Sequence, residues 1–296
     1  MSVDYMDIRK RYLRPEGITV VVGEEKKQED KIIYITKDEL YRLVDELTPS
    51  KIVIDKGIGL ESKELLNIIS TKKSLKFIRM PNDYLPLTNL PSDDVNALWI
   101  NPFCDKELFN GYQEYSWDLE HVMPNVEFFS FMDGDGRYDL AGVTSKAFPN
   151  LKWIECMLDK KGRTLETLQN FSNLSSVYLH EVWNHRIFSA LKEHQIKRFR
   201  LEGFTRGFSF EDITNFTEVE VLKVNGYREH FDMQLLAKLP IKEISFISCI
   251  RMEHVDVLLQ IPTLERLTII DCKKPLTQEM KEVLKEKLLV ADVDFQ

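Results

Sequence analysis

The chain has 296 residues, a formal net charge of −8, and 43% hydrophobic and 30% charged residues, a composition typical of an ordinary folded protein. The acidic balance disfavours a nucleic-acid partner, because duplex-binding surfaces usually carry an excess of Lys and Arg. No window approaches about 18 uninterrupted apolar residues, and the N-terminal residues lack the apolar core of a secretory signal. We therefore expect a cytoplasmic protein without a membrane partner, whose four cysteines are reduced thiols.

Two apolar segments near the N-terminus, at 17–22 and 31–36, flank the charged stretch GEEKKQED, and this pattern predicts a β-hairpin. A helix is predicted to begin at Thr36, because Glu39 follows three residues later, as in a capping box. We interpret residues 1–48 as an N-terminal capping domain that consists of this β-hairpin and helix.

From residue 51 onward one pattern recurs: an apolar residue, two variable residues, an apolar residue, one variable residue and another apolar residue. The intervals between copies settle at 22 or 23 residues through five consecutive repeats, a period that is the signature of a repeat architecture. Amphipathic segments such as TLETLQNF lie between the copies. The copies are KIVID (51–55, partial), LKFIRM (75–80), VNALWI (95–100), VEFFSF (126–131), LKWIEC (151–156), LSSVYL (174–179), IKRFRL (196–201), VEVLKV (219–224), IKEISF (241–246), LERLTI (264–269) and VADVDF (290–295).

These copies and their period resemble the leucine-rich repeat family over residues 49–296. The resemblance implies an α/β solenoid, a curved horseshoe in which each repeat adds one short strand to a parallel concave sheet and a helix or turn lies behind it. The segment LTQEMKEVLKEKLL would form a helix that leads into the last strand and caps the C-terminus. The asparagine that the family places after each strand is absent here. Cys249 and Cys272 stand in that column as known substitutes, which implies a structural role for both.

Three motifs suggest ligand chemistry, and each fails on a required position. In FMDGDGRYDL (131–140), three aspartates match a calcium loop, but Arg137 and Thr144 occupy the positions that need an oxygen ligand and a Glu. In KIVIDKGIGLESKELL, Ser62 stands where a dinucleotide-binding fingerprint needs its third Gly. His180 and His185 are five residues apart, whereas the zinc-protease motif needs four. We predict a turn, no metal, no cofactor, no catalytic residue and no enzymatic activity.

The repeat register predicts which side chains face away from the core, because side chains alternate along a strand. Aromatic and Met residues dominate the first half of that concave face and basic residues follow, a composition typical of protein-binding hot spots. A solvent-facing cluster of this kind would be unusual without a partner. The predicted partner-binding residues are Phe77, Trp99, Phe128, Met132, Trp153, Met157, Tyr178, His180, Arg198, Arg200 and Lys223.

The favoured function is a non-enzymatic scaffold or protein-interaction module, which we expect to be a monomer. The long interval between the copies at 95 and 126 leaves another possibility, because the insertion at 101–121 could fold over the concave face and bury Trp99 and Phe128. The arginines could also pair with Glu155 and Glu202 on neighbouring strands. Two other functions stay open. One is an inhibitor or immunity-type protein that neutralises a basic toxin or enzyme. The other is a small-molecule-binding or catalytic solenoid with a pocket under the insertion.

Overall fold

The computed structural model describes the greater part of the chain. The described residues are 5–23, 30–40, 42, 46–54, 67, 69, 71–72, 74–81, 94–101, 122–132, 140, 143–159, 161–182, 186–273 and 276–293. In the N-terminal part the elements are α1 (Tyr5–Leu13), β1 (Thr19–Val22), β2 (Ile32–Ile35), β3 (Lys51–Ile54), β4 (Phe77–Pro81), β5 (Ala97–Asn101), β6 (Phe128–Phe131) and β7 (Trp153–Met157). The elements that follow are α2 (Arg163–Leu168), β8 (Ser176–His180), α3 (Ile187–Leu191), β9 (Arg198–Glu202), β10 (Val221–Asn225), β11 (His230–Asp232), β12 (Glu243–Ile247), β13 (Arg251–Glu253), β14 (Arg266–Ile270), α4 (Gln278–Lys287) and β15 (Val290–Val293).

The fold is α/β and is built on a parallel sheet that is not closed into a barrel. Thirteen strands follow one another in the order β15-β14-β12-β10-β9-β8-β7-β6-β5-β4-β3-β1-β2, and β11 and β13 form a second, two-stranded sheet. From β3 onward each predicted repeat copy supplies one strand, so the sheet grows in chain order, as in a solenoid-like repeat fold. This confirms the predicted fold class.

The chain divides into two compact units. The N-terminal unit comprises residues 9–156 with 170–173, and the C-terminal unit comprises residues 1–8, 157–169 and 174–296. The division does not coincide with the predicted boundary at residue 48. Residues 5–8 of α1 are assigned to the C-terminal unit and residues 9–13 to the N-terminal unit.

The predicted β-hairpin at the N-terminus is wrong. Strands β1 and β2 pair in parallel, with Thr19 opposite Ile32, and β1 also pairs in parallel with β3. Two strands of a hairpin are antiparallel, whereas parallel neighbours need a crossover connection. The apolar segments and their charged separator were recognised correctly, but their pairing follows the direction of the whole sheet.

The predicted start of a helix at Thr36 is seen as a 3₁₀ turn, Lys37–Glu39, after which Leu40 and Arg42 are α-helical. The Glu39 carboxylate accepts the Thr36 backbone N–H at 3.0 Å, which is one of the two hydrogen bonds of a capping box. At the other end of the chain, the predicted helix and terminal strand are confirmed as α4 and β15. The Thr277 side chain caps α4 by accepting the Met280 N–H at 3.2 Å, and β15 pairs in parallel with β14.

Behind the strands of the C-terminal unit, aromatic rings fill the space between the repeats. Phe210 lies 5.0 Å from Tyr227 and 4.8 Å from Phe231, and Phe188 lies 5.6 Å from Phe199, all measured between ring centroids. The Tyr227 hydroxyl donates to the Phe208 carbonyl oxygen at 2.7 Å. The helices α2 and α3 give way to 3₁₀ segments in later repeats, namely Glu211–Asn215, Met233–Leu236 and Val255–Leu259.

Other residue types stabilise the turns at the position after each strand where the leucine-rich repeat family places asparagine. The Asp159 carboxylate accepts the backbone N–H groups of Lys161, Arg163 and Thr164, at 3.1, 3.2 and 2.8 Å, and so caps the start of α2. Cys249 and Cys272 form a ladder two repeats long. Each thiol contacts a backbone carbonyl of the preceding repeat, and the Cys249 N–H donates to the Cys272 Sγ at 3.4 Å. The hydrogen bond to Cys272 and burial raise the pKa of Cys249. Their predicted structural role is confirmed.

Candidate functional site

Each unit has a strand face, which we define as the side chains at the first, third and fifth positions of β4 to β7 in the N-terminal unit and of β8 to β10 in the C-terminal unit, and these two faces are the candidate sites. In the N-terminal unit Arg79 pairs with Trp99, Trp99 with Ser130, and Ser130 with Glu155. In the C-terminal unit Tyr178 pairs with Arg200, and Arg200 with Lys223. The predicted register is therefore correct, and equivalent side chains of paired strands lie about 4.8 Å apart on one side of the sheet.

The predicted exposure of the aromatic part of this face is wrong. Phe77, Phe128 and Trp153 are each at most 2% exposed, and Met157 is 5% exposed. Trp99, Met132, Tyr178, His180, Arg198, Arg200 and Lys223 are half-buried. The side chains point where the alternation predicted, so the error concerns what covers them and not the register.

Helix α1 packs against the strand face of the N-terminal unit. The Tyr12 ring stacks on Phe128 with a centroid distance of 5.3 Å and lies 6.3 Å from Trp153. Phe128 and Trp153 are themselves 5.9 Å apart, so the three rings form one cluster. The Tyr12 hydroxyl donates to the Glu127 carboxylate at 3.2 Å. Both rings are buried, and Tyr12 supplies part of the packing around them.

A buried ion pair fixes the same helix. Arg9 binds Glu155 with two hydrogen bonds, Nε to Oε1 at 2.5 Å and Nη2 to Oε2 at 2.7 Å. The Glu155 side chain is 0% exposed and also accepts from the Ser130 hydroxyl and from the Trp153 indole N–H, both at 3.2 Å. A buried carboxylate is costly unless it is paired and hydrogen-bonded, and here Arg9 supplies the countercharge.

Three cations complete the contact, two of them beside the Trp99 ring and one at the end of α1. The Arg9 guanidinium lies 5.4 Å from the centre of the Trp99 ring, and Arg79 lies 5.0 Å from the same ring. The Lys51 ammonium donates to the Leu13 carbonyl oxygen at 2.9 Å, and a cation at the last carbonyls of a helix is favourable. Burial, together with the charges of Arg79 and Arg14, lowers the pKa of Lys51.

In the C-terminal unit Tyr5 is buried against the face. Its backbone N–H donates to the Glu243 carboxylate at 2.8 Å. Lys223 forms an ion pair with Glu243, and its ammonium lies 5.2 Å from the centre of the Tyr5 ring. Lys223 was predicted to contact a partner, and in this structure it contacts the chain's own N-terminus.

The remaining predicted residues of the C-terminal unit lie close together and are only partly covered. The Arg200 guanidinium lies 4.2 Å from the centre of the Tyr178 ring, and Glu202 accepts from both side chains, at 2.8 Å from Arg200 and 2.9 Å from Tyr178. His180 lies 3.9 Å from the same carboxylate. The expectation that an arginine pairs with Glu202 is confirmed, although the pair lies within one strand.

Sequence reasoning missed that α1 is part of this site. The segment YMDIRKRYL places Tyr5, Arg9 and Tyr12 on one helical side, at spacings of four and three residues. Met6 and Arg11 on other sides of the helix are exposed. This amphipathic spacing was an available signal for a helix that docks through aromatic and basic groups.

Several predictions fall outside the described residues. The loop aspartates at 133–139 and the insertion at 102–121 are among these, so their predicted turn and cover stay predictions. Within the described ranges, no group of three or more His, Cys, Asp or Glu side chains is placed to hold a metal ion. No helix in the described part of the chain is long and apolar enough to cross a bilayer.

No protein-family model matches the chain, and no curated protein matches it significantly. The resemblance to leucine-rich repeats therefore rests on the repeat pattern and the parallel sheet alone.

Proposed function

We propose that the protein is a non-enzymatic interaction module that binds a partner protein through the strand face. Parallel strands hold the side chains of this face at regular spacing, so a partner would meet an ordered surface. The face carries the residue types, Trp, Tyr and Arg, that dominate binding energy at protein interfaces.

The observation that supports this proposal most strongly is the Tyr178–Arg200–Glu202 group. Arg200 stacks on the Tyr178 ring, and both side chains are anchored to one carboxylate, yet the Arg200 side chain remains 29% exposed. An arginine whose rotamer is already fixed loses less conformational entropy when it binds. The group thus offers a preorganised anchor of the hot-spot type.

An inhibitor or immunity-type function is the second candidate, and the net charge of −8 favours it. An acidic protein associates faster with a basic target, because the opposite charges steer the encounter. This function requires that the captured partner be a toxin or enzyme whose activity falls at a 1:1 ratio.

The test is affinity capture with the wild-type chain and with a Tyr178→Ala, Arg200→Ala double variant. The matched control is Arg206→Ala, which removes an exposed arginine of the same unit away from the strand face. All three chains are first compared by circular dichroism. We expect a partner that wild type and control retain and that the folded double variant loses. Equal retention by all three chains would refute binding through this part of the face.

A further inference from the structure

We infer that the aromatic and acidic part of the strand face, formed by Trp99, Phe128, Trp153 and Glu155, is a binding site for a helix of a partner protein. That helix presents an Arg and, three residues later, an aromatic ring. Residues 9–13 of α1 occupy the site in the same chain and are displaced when the partner binds. This inference rests on the proposed function, because it names the kind of partner segment that the face takes.

The contacts of α1 define the chemistry that the site recognises. Glu155 is buried with its second carboxylate oxygen shared between Arg9 and Ser130, so the site is selective for a cation with two donors. An Arg fits this geometry, whereas a Lys would place a single point charge there. Three residues further on, the Tyr12 ring fills the space over Phe128, and its hydroxyl reaches Glu127.

The outer side of the helix contributes less to recognition at this site. Arg11 is exposed, and it lies between the two anchors in sequence. A helix groove is commonly read through anchors at spacings of three and four residues while the outer side of the ligand helix stays in water. The site thus recognises an Arg and, three residues later, an aromatic residue on a helical segment.

The connection between α1 and β1 is short, which makes the internal occupant a strong competitor. Five residues, Arg14 to Ile18, join the helix to the strand. A short tether holds a ligand at an effective concentration of about 1 mM. A partner segment with the same intrinsic affinity would therefore need a concentration of about 1 mM to compete equally with the tethered helix.

The experiment uses a fluorescein-labelled peptide of residues 1–16 and the full chain, with binding followed by fluorescence anisotropy. An Arg9→Ala, Tyr12→Ala chain keeps every face residue and loses both anchors of the internal helix. We expect this chain to bind the peptide at least tenfold more tightly than wild type does. A peptide with the same two substitutions should not bind. An Arg11→Ala chain is the matched control and should behave as wild type.

Two further variants secure the interpretation. The Arg9→Ala, Tyr12→Ala chain is called the anchor-less chain. Adding Glu155→Gln and Trp99→Ala to it should reduce peptide binding at least tenfold, and this result would place the peptide on the proposed site. The other variant keeps the native helix and carries a protease recognition sequence inserted after Glu16. After cleavage, the native α1 should exchange for the labelled peptide, so the test does not depend on the folding of the substituted chain.

Three outcomes would overturn the inference. A folded anchor-less chain and a cleaved chain that both fail to bind the peptide would show that the face does not bind such a helix by itself. Equal binding by wild type and the anchor-less chain would place the peptide elsewhere. A dimer of the anchor-less chain with wild type in light scattering would mean that α1 of a second copy is the occupant. If capture through Tyr178 and Arg200 still succeeds in these cases, the proposed function survives and this inference alone fails.

Discussion

The Arg9–Glu155 ion pair predicts a large and specific effect on stability. Replacing Arg9 by Met keeps much of the aliphatic stem but removes the charge opposite a carboxylate that is 0% exposed. Among the residues that the structure describes, Glu155 would then retain the Ser130 hydroxyl and the Trp153 indole as donors. Breaking a buried ion pair by removing one partner costs about 3–5 kcal/mol. Because Arg9 is still 16% exposed, we expect the lower end, about 3 kcal/mol.

A double-mutant cycle isolates the pair from the rest of the helix. Glu155→Gln preserves the shape and removes the charge, and we expect it to cost about 1–2 kcal/mol. In the Arg9→Met, Glu155→Gln chain the second change costs less, because no buried charge is left alone. The coupling free energy should therefore be about 2 kcal/mol.

The measurement is urea unfolding followed by far-ultraviolet circular dichroism for the four chains, with equal m values required for the comparison. Arg11→Met is the control, since it changes the same charge on an exposed position of the same helix and should shift stability by no more than about 0.5 kcal/mol. A coupling below about 0.5 kcal/mol, or an Arg9→Met effect equal to that of the control, would refute the assignment of Arg9 as an anchor.

Three more predictions concern the C-terminal unit. Burial raises the pKa of Tyr227 to about 12, so its phenol stays protonated and donates to the Phe208 carbonyl. Tyr227→Phe should therefore lower the free energy of unfolding by about 1–2 kcal/mol in urea melts. An unchanged unfolding midpoint would contradict a contribution of that hydrogen bond to stability. The hydrogen bond to Asp232 raises the pKa of His254 in the folded chain. The contribution of this pair to folding stability is therefore complete below the pKa of an unfolded histidine, about 6.5, and is lost as the pH rises through the raised pKa of the folded state. Proton NMR titration should show that raised pKa in wild type and its return towards about 6.5 in Asp232→Asn, whereas equal values in both chains would exclude the pair as its cause. Thr277→Ala removes the cap of α4 and should lower the free energy of unfolding by about 1 kcal/mol in the same urea melts. Thr277→Asp can still cap the helix and should retain most of that stability. Equal losses of stability in both variants would argue against capping by Thr277.

The structure also explains why an aromatic face can exist on this chain without being exposed. Phe128 and Trp153 were predicted to face solvent and to contact a partner protein. In the structure Tyr12 of the same chain packs against both rings.

The sequence by itself determined the repeat, the strand register and the C-terminal cap. Those features depend on patterns that the sequence displays directly: alternation along a strand, a period of 22 or 23 residues, and the helical segment LTQEMKEVLKEKLL before the last strand. Because the copies repeat, each weak local signal was reinforced by its neighbours, and pairs such as Arg79 with Trp99 could be assigned in advance.

Only the tertiary structure decided how the N-terminal segment is used. Arg9 and Glu155 are 146 residues apart, and no local pattern indicates that one neutralises the other. The parallel pairing of β1 with β2 likewise depends on the sheet that the rest of the chain builds. Alternation shows which way a side chain points, but burial depends on whatever else the chain brings to that surface. For Trp153 that is helix α1, and the contact follows from the whole fold.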